Sequence, residues 1–310
     1  MRHILFDTDT ASDDAVALVM SLRCADLHIE AVTCVCGNIT LPKVIRNARI
    51  AVEKAATYRP PVYAGMARPL FGQPTSFGEQ AHGPDGLGGM NYPEPSVPLS
   101  PGHAVDQIIR LAREVDDLEI LALGPLTNIA MAILLAPEAM KRVKNITLMG
   151  GQYRMIDAFT ANAEFNIAMD AEAAKIVFAS GMHLTVVPID VCYGHTEIDA
   201  ADRAVLRGYH TEVGDFYIDA NRTLLEMNKG AYGKDIISMP DPTAAAVVMD
   251  PGVVRGRVEC FADVEVKSPF AMGELLYDFD GRSGNPQNCT LITEIDPARF
   301  KEMVFASADH

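Results

Sequence analysis

An alternation constrains this chain most. Short runs rich in Leu, Ile and Val are each followed by a longer stretch with helical spacing. "HILF" at 3–6 precedes "SDDAVALVMSL" at 12–22, where Ala15, Leu18, Val19 and Leu22 fall along one helical face. "IEAVTCVCGN" at 29–38 precedes "LPKVIRNARIAVEKA" at 41–55, and "DLEILALG" at 117–124 precedes "PLTNIAMAILLA" at 125–136. "NITLMGG" at 145–151 is followed by "DAEAAKIVFASG" at 170–181, which Gly181 is expected to cap, and then by "HLTVVPID" at 183–190. Strands alternating with helices imply parallel β–α units. The expected fold is therefore α/β, a Rossmann-like, mostly parallel mixed sheet flanked by helices. Residues 199–230 read as helical and 257–296 as strand-rich, and no linker, repeat or low-complexity stretch divides them, so residues 1–310 are expected to form a single domain. The Gly- and Pro-rich residues 71–100 read as a long loop, a kind of segment that is usually functional or disordered.

The formal net charge of −15 argues against nucleic acid or an anionic membrane as partner, since both need a basic patch. It suits a small neutral substrate and a cation. The apolar run near the N-terminus is only three residues, too short for a signal peptide, and no later run reaches the ~18 residues of a membrane span. The six cysteines, at 24, 34, 36, 192, 260 and 289, show no disulfide-framework spacing, which predicts a reduced, cytoplasmic protein. Cys34 and Cys36 would share one strand face. With no second Cys/His pair nearby, they read as buried packing rather than a metal site.

In open α/β sheets ligands bind at the carboxyl ends of the strands. The polar residues expected there are Asp7–Asp14, Gly37–Asn38, Gly124–Asn128, Gly150–Gly151 and Asp190. Four aspartates, Asp7, Asp9, Asp13 and Asp14, lie within eight positions. Capping explains one or two of them, because Thr10 with Asp13 has capping-box spacing and acids suit a helix N-terminus. It does not explain four, whose mutual repulsion calls for a cation. The oxygens on offer are hard, with no His or Cys in the stretch, so Ca²⁺ or Mg²⁺ is favoured over zinc. "DTDT" after an apolar strand also fits the Asp-x-Asp-x-Thr pattern of haloacid-dehalogenase-like Mg²⁺ phosphatases, but the acidic pair Asp13–Asp14 follows too soon for that pattern.

A second resemblance is more specific. "DTDTASDD" at 7–14 resembles the N-terminal signature of the inosine–uridine-preferring nucleoside hydrolase family. "VTCVCGN" at 32–38 with Asn47–Ala48, "HGPDGLGG" at 82–89, "LALGPLTNIA" at 121–130, "AEFNIAMDAEAA" at 163–174 and "DPTAAAVVMDP" at 241–251 match further family motifs in order. The resemblance implies a single α/β domain, assembled as a homodimer or homotetramer. It implies Ca²⁺-dependent hydrolysis of a nucleoside to ribose and free base, with Asp9 activating a metal-bound water. The implied metal ligands are Asp9, Asp14, Asp241 and the carbonyl of Leu123. Asp7 would support them from behind, Asp13, Asn38 and Asn166 would bind the ribose diol, and Glu164 the 5′-hydroxyl. Hydrolysis of another N-ribosyl compound, or Ca²⁺-dependent binding without turnover, would use the same residues. Individually several have plainer readings: Asn38 as a left-handed turn, Asn128 as a helix cap, Asp241 as an N-cap beside a proline. Glu164, flanked by Ala163 and Phe165, has none.

Two positions depart from the family pattern. A histidine that many members place before the late aspartate is here Pro240, which cannot donate a proton; His82 and then Tyr232 are the candidate replacements, with solvent exposure the plain alternative for His82. A pyrimidine base can leave as a stabilised anion without an acid, which leans the expected substrate towards uridine. Where the family has an Asn six residues before the Glu, this chain has Ala158, and Asn162 is the candidate substitute.

Overall fold

The computed structural model of the protein describes residues 1–73, 78–154 and 162–309. The first half runs β1 (Arg2–Thr8), α1 (Ser12–Arg23), β2 (Leu27–Cys34), α2 (Leu41–Ala55), β3 (Val62–Ala64), α3 (Gly78–His82), β4 (Leu99–His103), α4 (Ala104–Glu114), β5 (Glu119–Ala122), α5 (Thr127–Leu135), α6 (Pro137–Met140) and β6 (Asn145–Met149). There follow α7 (Phe165–Met169), α8 (Ala171–Phe178), β7 (Leu184–Val187), β8 (Glu197–Ile198), α9 (Ala200–Gly208), α10 (Glu212–Asp219), α11 (Arg222–Tyr232), β9 (Ile237–Ser238) and α12 (Pro240–Met249). The chain closes with β10 (Val254–Val264), β11 (Leu275–Asp278), β12 (Cys289–Ile295) and α13 (Pro297–Ala308).

Ten strands form one sheet in the order β11-β10-β12-β7-β6-β5-β1-β2-β3-β4. From β12 to β4 every neighbouring pair is parallel, while β10 runs antiparallel to both β12 and β11. The expected mixed, mostly parallel α/β sheet is thus present. The chain winds outward from β1 through β2, β3 and β4, then returns to β5 on the other side of β1. In open α/β sheets such a reversal is where ligands bind, here at the carboxyl ends of β1 and β5.

Some expectations shift on contact with the fold. α1 is buried on every side, from Ser12 to Leu22, because it packs against both α2 and α12. Its apolar positions therefore mark one face of a helix that has no solvent face. α8 ends at Phe178 with Ala179 at its C-cap, short of Gly181. The 71–100 stretch is interrupted by α3 and by the start of β4. Cys34 and Cys36 are buried, and burial pushes both thiols up, Cys36 to about 11, as packing groups require.

At the amino ends of β5, β6 and β7 lies a cavity of about 1090 Å³. Its polar groups satisfy one another. Arg2 Nε donates to Glu119 Oε1 at 2.9 Å, Asn145 Nδ2 donates to Thr147 Oγ1 at 3.0 Å, and Thr290 Oγ1 donates to Glu259 Oε1 at 2.6 Å.

Candidate active site

Asp9 follows the last residue of β1, where two loops press in from the neighbouring strands. A Cβ on Gly37, beyond β2, would overlap Asp9 Oδ2, and one on Gly124, beyond β5, would stand 2.8 Å from Oδ1. Only glycine permits so close an approach of backbone to carboxylate. The Asn38 N–H donates to Asp9 Oδ2 at 2.6 Å, while Oδ1 is buried with no hydrogen-bond partner. Asn38 is not among the left-handed non-glycine residues, so the plain turn reading fails: its recorded service is that N–H.

Asp13 and Asp14 stand in the first turn of α1. Asp14 Oδ2 accepts the Ala11 N–H at 3.0 Å, half of a capping box, and Oδ1 accepts Thr8 Oγ1 at 2.6 Å. The box is thus set one residue later than the Thr10–Asp13 spacing suggested. Asp241 lies in the first turn of α12 behind Pro240, with Met239 at the N-cap position, so it is not the cap that its sequence context suggested. Carboxylate oxygens of Asp13, Asp14 and Asp241 come within 4.8 Å of one another. Asp9 completes the cluster: burial first, then the charge of Asp14, pushes its carboxyl well above the carboxylate range. Burial and the charges of Asp14, Asp13 and Asp9 do the same to Asp241. Burial also raises Asp13 to about 6. Four buried carboxyls cannot all ionise unless a positive charge joins them.

The residues fit a hard cation. The donors are all oxygens, they come from separate elements held at a fixed spacing, and Asp9 Oδ1 is buried without a partner. The tightest group nonetheless contains Asp13, which the resemblance gave to the sugar, rather than Asp9.

Behind the cluster, Asp7 Oδ1 accepts Thr33 Oγ1 at 2.5 Å and Asn128 Nδ2 at 2.8 Å. Burial still raises it to about 7, against the lowering effect of those two bonds. Asn128 is therefore no helix cap. Its amide also donates to Cys34 O at 3.1 Å and accepts the Met66 N–H at 2.9 Å, locking Asp7 to the ends of β2 and β3. Sequence reasoning missed this role, since its only signal was the position of Asn128 beyond β5.

The opposite wall comes from β5, β6 and α7. Asn166 Nδ2 donates to Leu123 O at 3.1 Å and to Met149 O at 3.1 Å. The Leu123 carbonyl, an expected metal ligand, thus already holds one hydrogen bond and keeps a second lone pair. Glu164 has a structural duty the sequence did not reveal. It caps α7 by accepting the N–H groups of Asn166 at 2.9 Å and Ile167 at 3.3 Å, and it accepts the Gly151 N–H at 2.9 Å. Asp190 accepts the N–H groups of Tyr153 and Arg154, which fixes the turn after Gly151.

His82 ends α3 and is largely buried, against the exposed-loop alternative. Its Nδ1 lies 2.6 Å from Ser12 Oγ and 3.9 Å from Asp13 Oδ1. Burial lowers it to about 4, so the ring is neutral at pH 7 and a poor proton donor in this state. Tyr232 stands at the end of α11, 59% exposed, and no recorded bond joins it to the acids. Asn162 donates from Nδ2 to Phe270 O at 3.1 Å. Ala158 lies outside the described residues. The Gly-rich loop has an organiser the sequence reading passed over. Asp85 accepts the N–H groups of Leu87, Gly89 and Asn91, and Asn47 Nδ2 ties its carbonyl to the turn at Thr10. The Asp-Gly pair in "HGPDGLGG" was the available signal.

Comparison with known proteins agrees with this architecture. The family model of inosine-uridine preferring nucleoside hydrolases matches residues 4–302. The inosine-uridine preferring nucleoside hydrolase of Leishmania major is 35% identical over 298 residues, 93% of this chain and 90% of that protein. A pyrimidine-specific ribonucleoside hydrolase of Salmonella gallinarum is 30% identical over 303 residues, 97% of this chain and 96% of that protein. Among solved structures, a purine-preferring ribonucleoside hydrolase from Gardnerella vaginalis superposes with a TM-score of 0.92 at 25% identity, covering 99% of each chain. These relatives replace the phosphatase expectation. The chain belongs to the inosine–uridine preferring nucleoside hydrolase family of metal-dependent N-glycosyl hydrolases that act on nucleosides.

Proposed function

We propose that residues 1–310 act as one Ca²⁺-dependent ribonucleoside hydrolase in which Asp9 takes the proton from the attacking water. The observation that carries this reading is the asymmetry of the Asp9 carboxylate. One oxygen is fixed by the Asn38 N–H, and the other is buried and unpartnered, which suits a proton acceptor. Asp9, Asp14, Asp241 and the Leu123 carbonyl would hold the cation, with Asp13 close enough to share it. When bound, Ca²⁺ supplies the positive charge that keeps these carboxyls ionised and makes an adjacent water more acidic.

Asp13, Asn38 and Asn166 bind the ribose diol, and Glu164 faces the 5′ end from the α7 side. Breaking the C1′–N bond builds positive charge on the sugar, which the surrounding carboxylates stabilise. Pro240 offers no proton to the departing base, and His82 is neutral and occupied by Ser12. Both facts favour a base that leaves as an anion, hence a pyrimidine nucleoside such as uridine. Exposed Phe270, Met272, Leu276 and Phe279, on or beside edge strand β11, support assembly into a homodimer or homotetramer. The buried free thiols suit a reducing, cytoplasmic setting. No helix among the described residues is long and apolar enough to cross a membrane.

The test is release of reducing sugar from a panel of purine and pyrimidine nucleosides, after chelation and after return of Ca²⁺ or Mg²⁺. Uridine turnover restored by Ca²⁺ and abolished by Asp9→Ala is expected. Nucleoside binding without sugar release across the panel would sink the hydrolytic reading in favour of a binding protein.

A further inference from the structure

Among the described residues, six buried polar side-chain atoms lack a hydrogen-bond partner. Asp7 Oδ2 and Asp9 Oδ1 belong to the acid cluster; Asn47 and Asn221 leave one carbonyl oxygen each. The remaining two are Tyr277 OH, which lies against Gly151, and Oε1 of Gln152, the next residue along the chain. A buried donor or acceptor left unmade costs stability, so an orphan phenol against Gly151 and an orphan amide oxygen on the next residue call for a missing partner.

Their position says what the partner is. Leu275 and Tyr277 point to the same side of β11 and pack on Gly151: a Cβ there would overlap Leu275 and stand 3.4 Å from Tyr277 OH. The N–H of Gly151 donates to Glu164 Oε2 at 2.9 Å, and a Cβ on Gly150 would lie 3.4 Å from that same oxygen. Phenol and carboxylate therefore flank one dipeptide at the carboxyl end of β6. A line of contacts leads back to the acids, from Glu164 through Asn166, which bonds the Leu123 carbonyl, to Gly124 against Asp9. A sugar held by its diol at the acid cluster would extend its far carbon along this line.

We propose that the Tyr277 hydroxyl is a substrate contact, donating a hydrogen bond to the hydroxyl on the 5′ carbon of the sugar, with the Gln152 carbonyl oxygen as acceptor for that group's proton. Burial keeps the phenol protonated, as a donor must be. The assignment rests on the nucleoside hydrolase reading above and adds a specificity determinant to it. Tyr277→Phe removes one oxygen and leaves the ring stacked on Phe279, where the centroids are 5.6 Å apart.

The experiment compares kcat/KM for a nucleoside and its 5′-deoxy counterpart in wild type and Tyr277→Phe, with thermal midpoints for both. Expected is a loss of about tenfold on the parent nucleoside, the size of one hydrogen bond. The 5′-deoxy compound should be unaffected, and the midpoint unchanged or raised because an unpartnered hydroxyl has gone. Equal losses on both substrates, or none on either, would overturn the assignment and leave the parent reading standing. Absence of turnover by the wild type on every nucleoside would instead overturn the reading beneath it.

Discussion

The two ends of the central sheet both bury polar side chains, and they treat them in opposite ways. At the amino ends Arg2 and Lys144 face Glu119, Asn145 links Thr147, Thr185 and His183, and Thr290 meets Glu259. Donors meet acceptors and positive groups meet negative ones around the 1090 Å³ cavity. At the carboxyl ends Asp9, Asp13, Asp14 and Asp241 converge, and among the described residues no Lys or Arg pairs with them. The amino-end cavity is thus electrostatically finished, and the crowded acid turn is not. Missing compensation is what makes the acid turn the candidate site.

That contrast can be tested from both sides. At the acid end Asp9→Ala should lower kcat by at least about a thousandfold, read as sugar release at saturating nucleoside. Asp9→Asn should lose activity similarly, yet raise the thermal midpoint of chelated protein, because it removes a buried carboxylate with two acidic neighbours. A lowered midpoint would mean that the charges are already balanced within the chain.

Gly37→Ala tests the glycine sandwich. Its Cβ must displace the Asp9 carboxylate, so kcat/KM should fall by roughly a hundredfold while the fold, followed by circular dichroism, persists. The wild-type rate in this variant would show that the carboxylate position is not critical.

The pH dependence of the metal-free protein follows from the same crowding. Asp7 titrates at about 7 and Asp13 at about 6 in the folded chain, against an ordinary 3.8. Between pH 4 and 7 the folded state therefore binds more protons than the unfolded state, and unfolding free energy falls as pH rises. The contribution is full below about pH 4 and gone above pH 7. Denaturation midpoints of chelated protein should decline across that window, and Asp7→Asn should flatten the decline. A rising midpoint would reverse the sign. At the finished end, Glu119→Gln weakens pairs with Arg2 and Lys144 and should cost about 1 kcal/mol of stability with kcat/KM unchanged.

Much of this is legible in the sequence. The β–α alternation was readable because a parallel strand and its crossover helix each carry a local apolar period. Asp7, Asp9, Asp13 and Asp14 could be assigned to one turn because they are neighbours in the chain. Other features were illegible because they join distant segments. Glu164 had no plain structural reading, yet α7 and Gly151 donate to it. Asn128 looked like a cap until the backbone turned its amide onto Asp7. His82 was open to two readings, replacement acid or exposed loop residue, until its Nδ1 was found on Ser12.

Local order along the chain was enough to specify the doubly wound sheet, the place of the site at its carboxyl ends and the acidity of its first turn. These depend on residue periods and on side chains a few positions apart. Folding in three dimensions settled which carboxyls meet: Asp241 joins residues more than two hundred positions earlier because α12 packs against α1. It also settled that Asp9 lies between two glycines, and that the phenol of Tyr277 ends beside Gly151 with no partner. Burial and repulsion at such points arise from the sum of approaching segments, a quantity that no single segment carries.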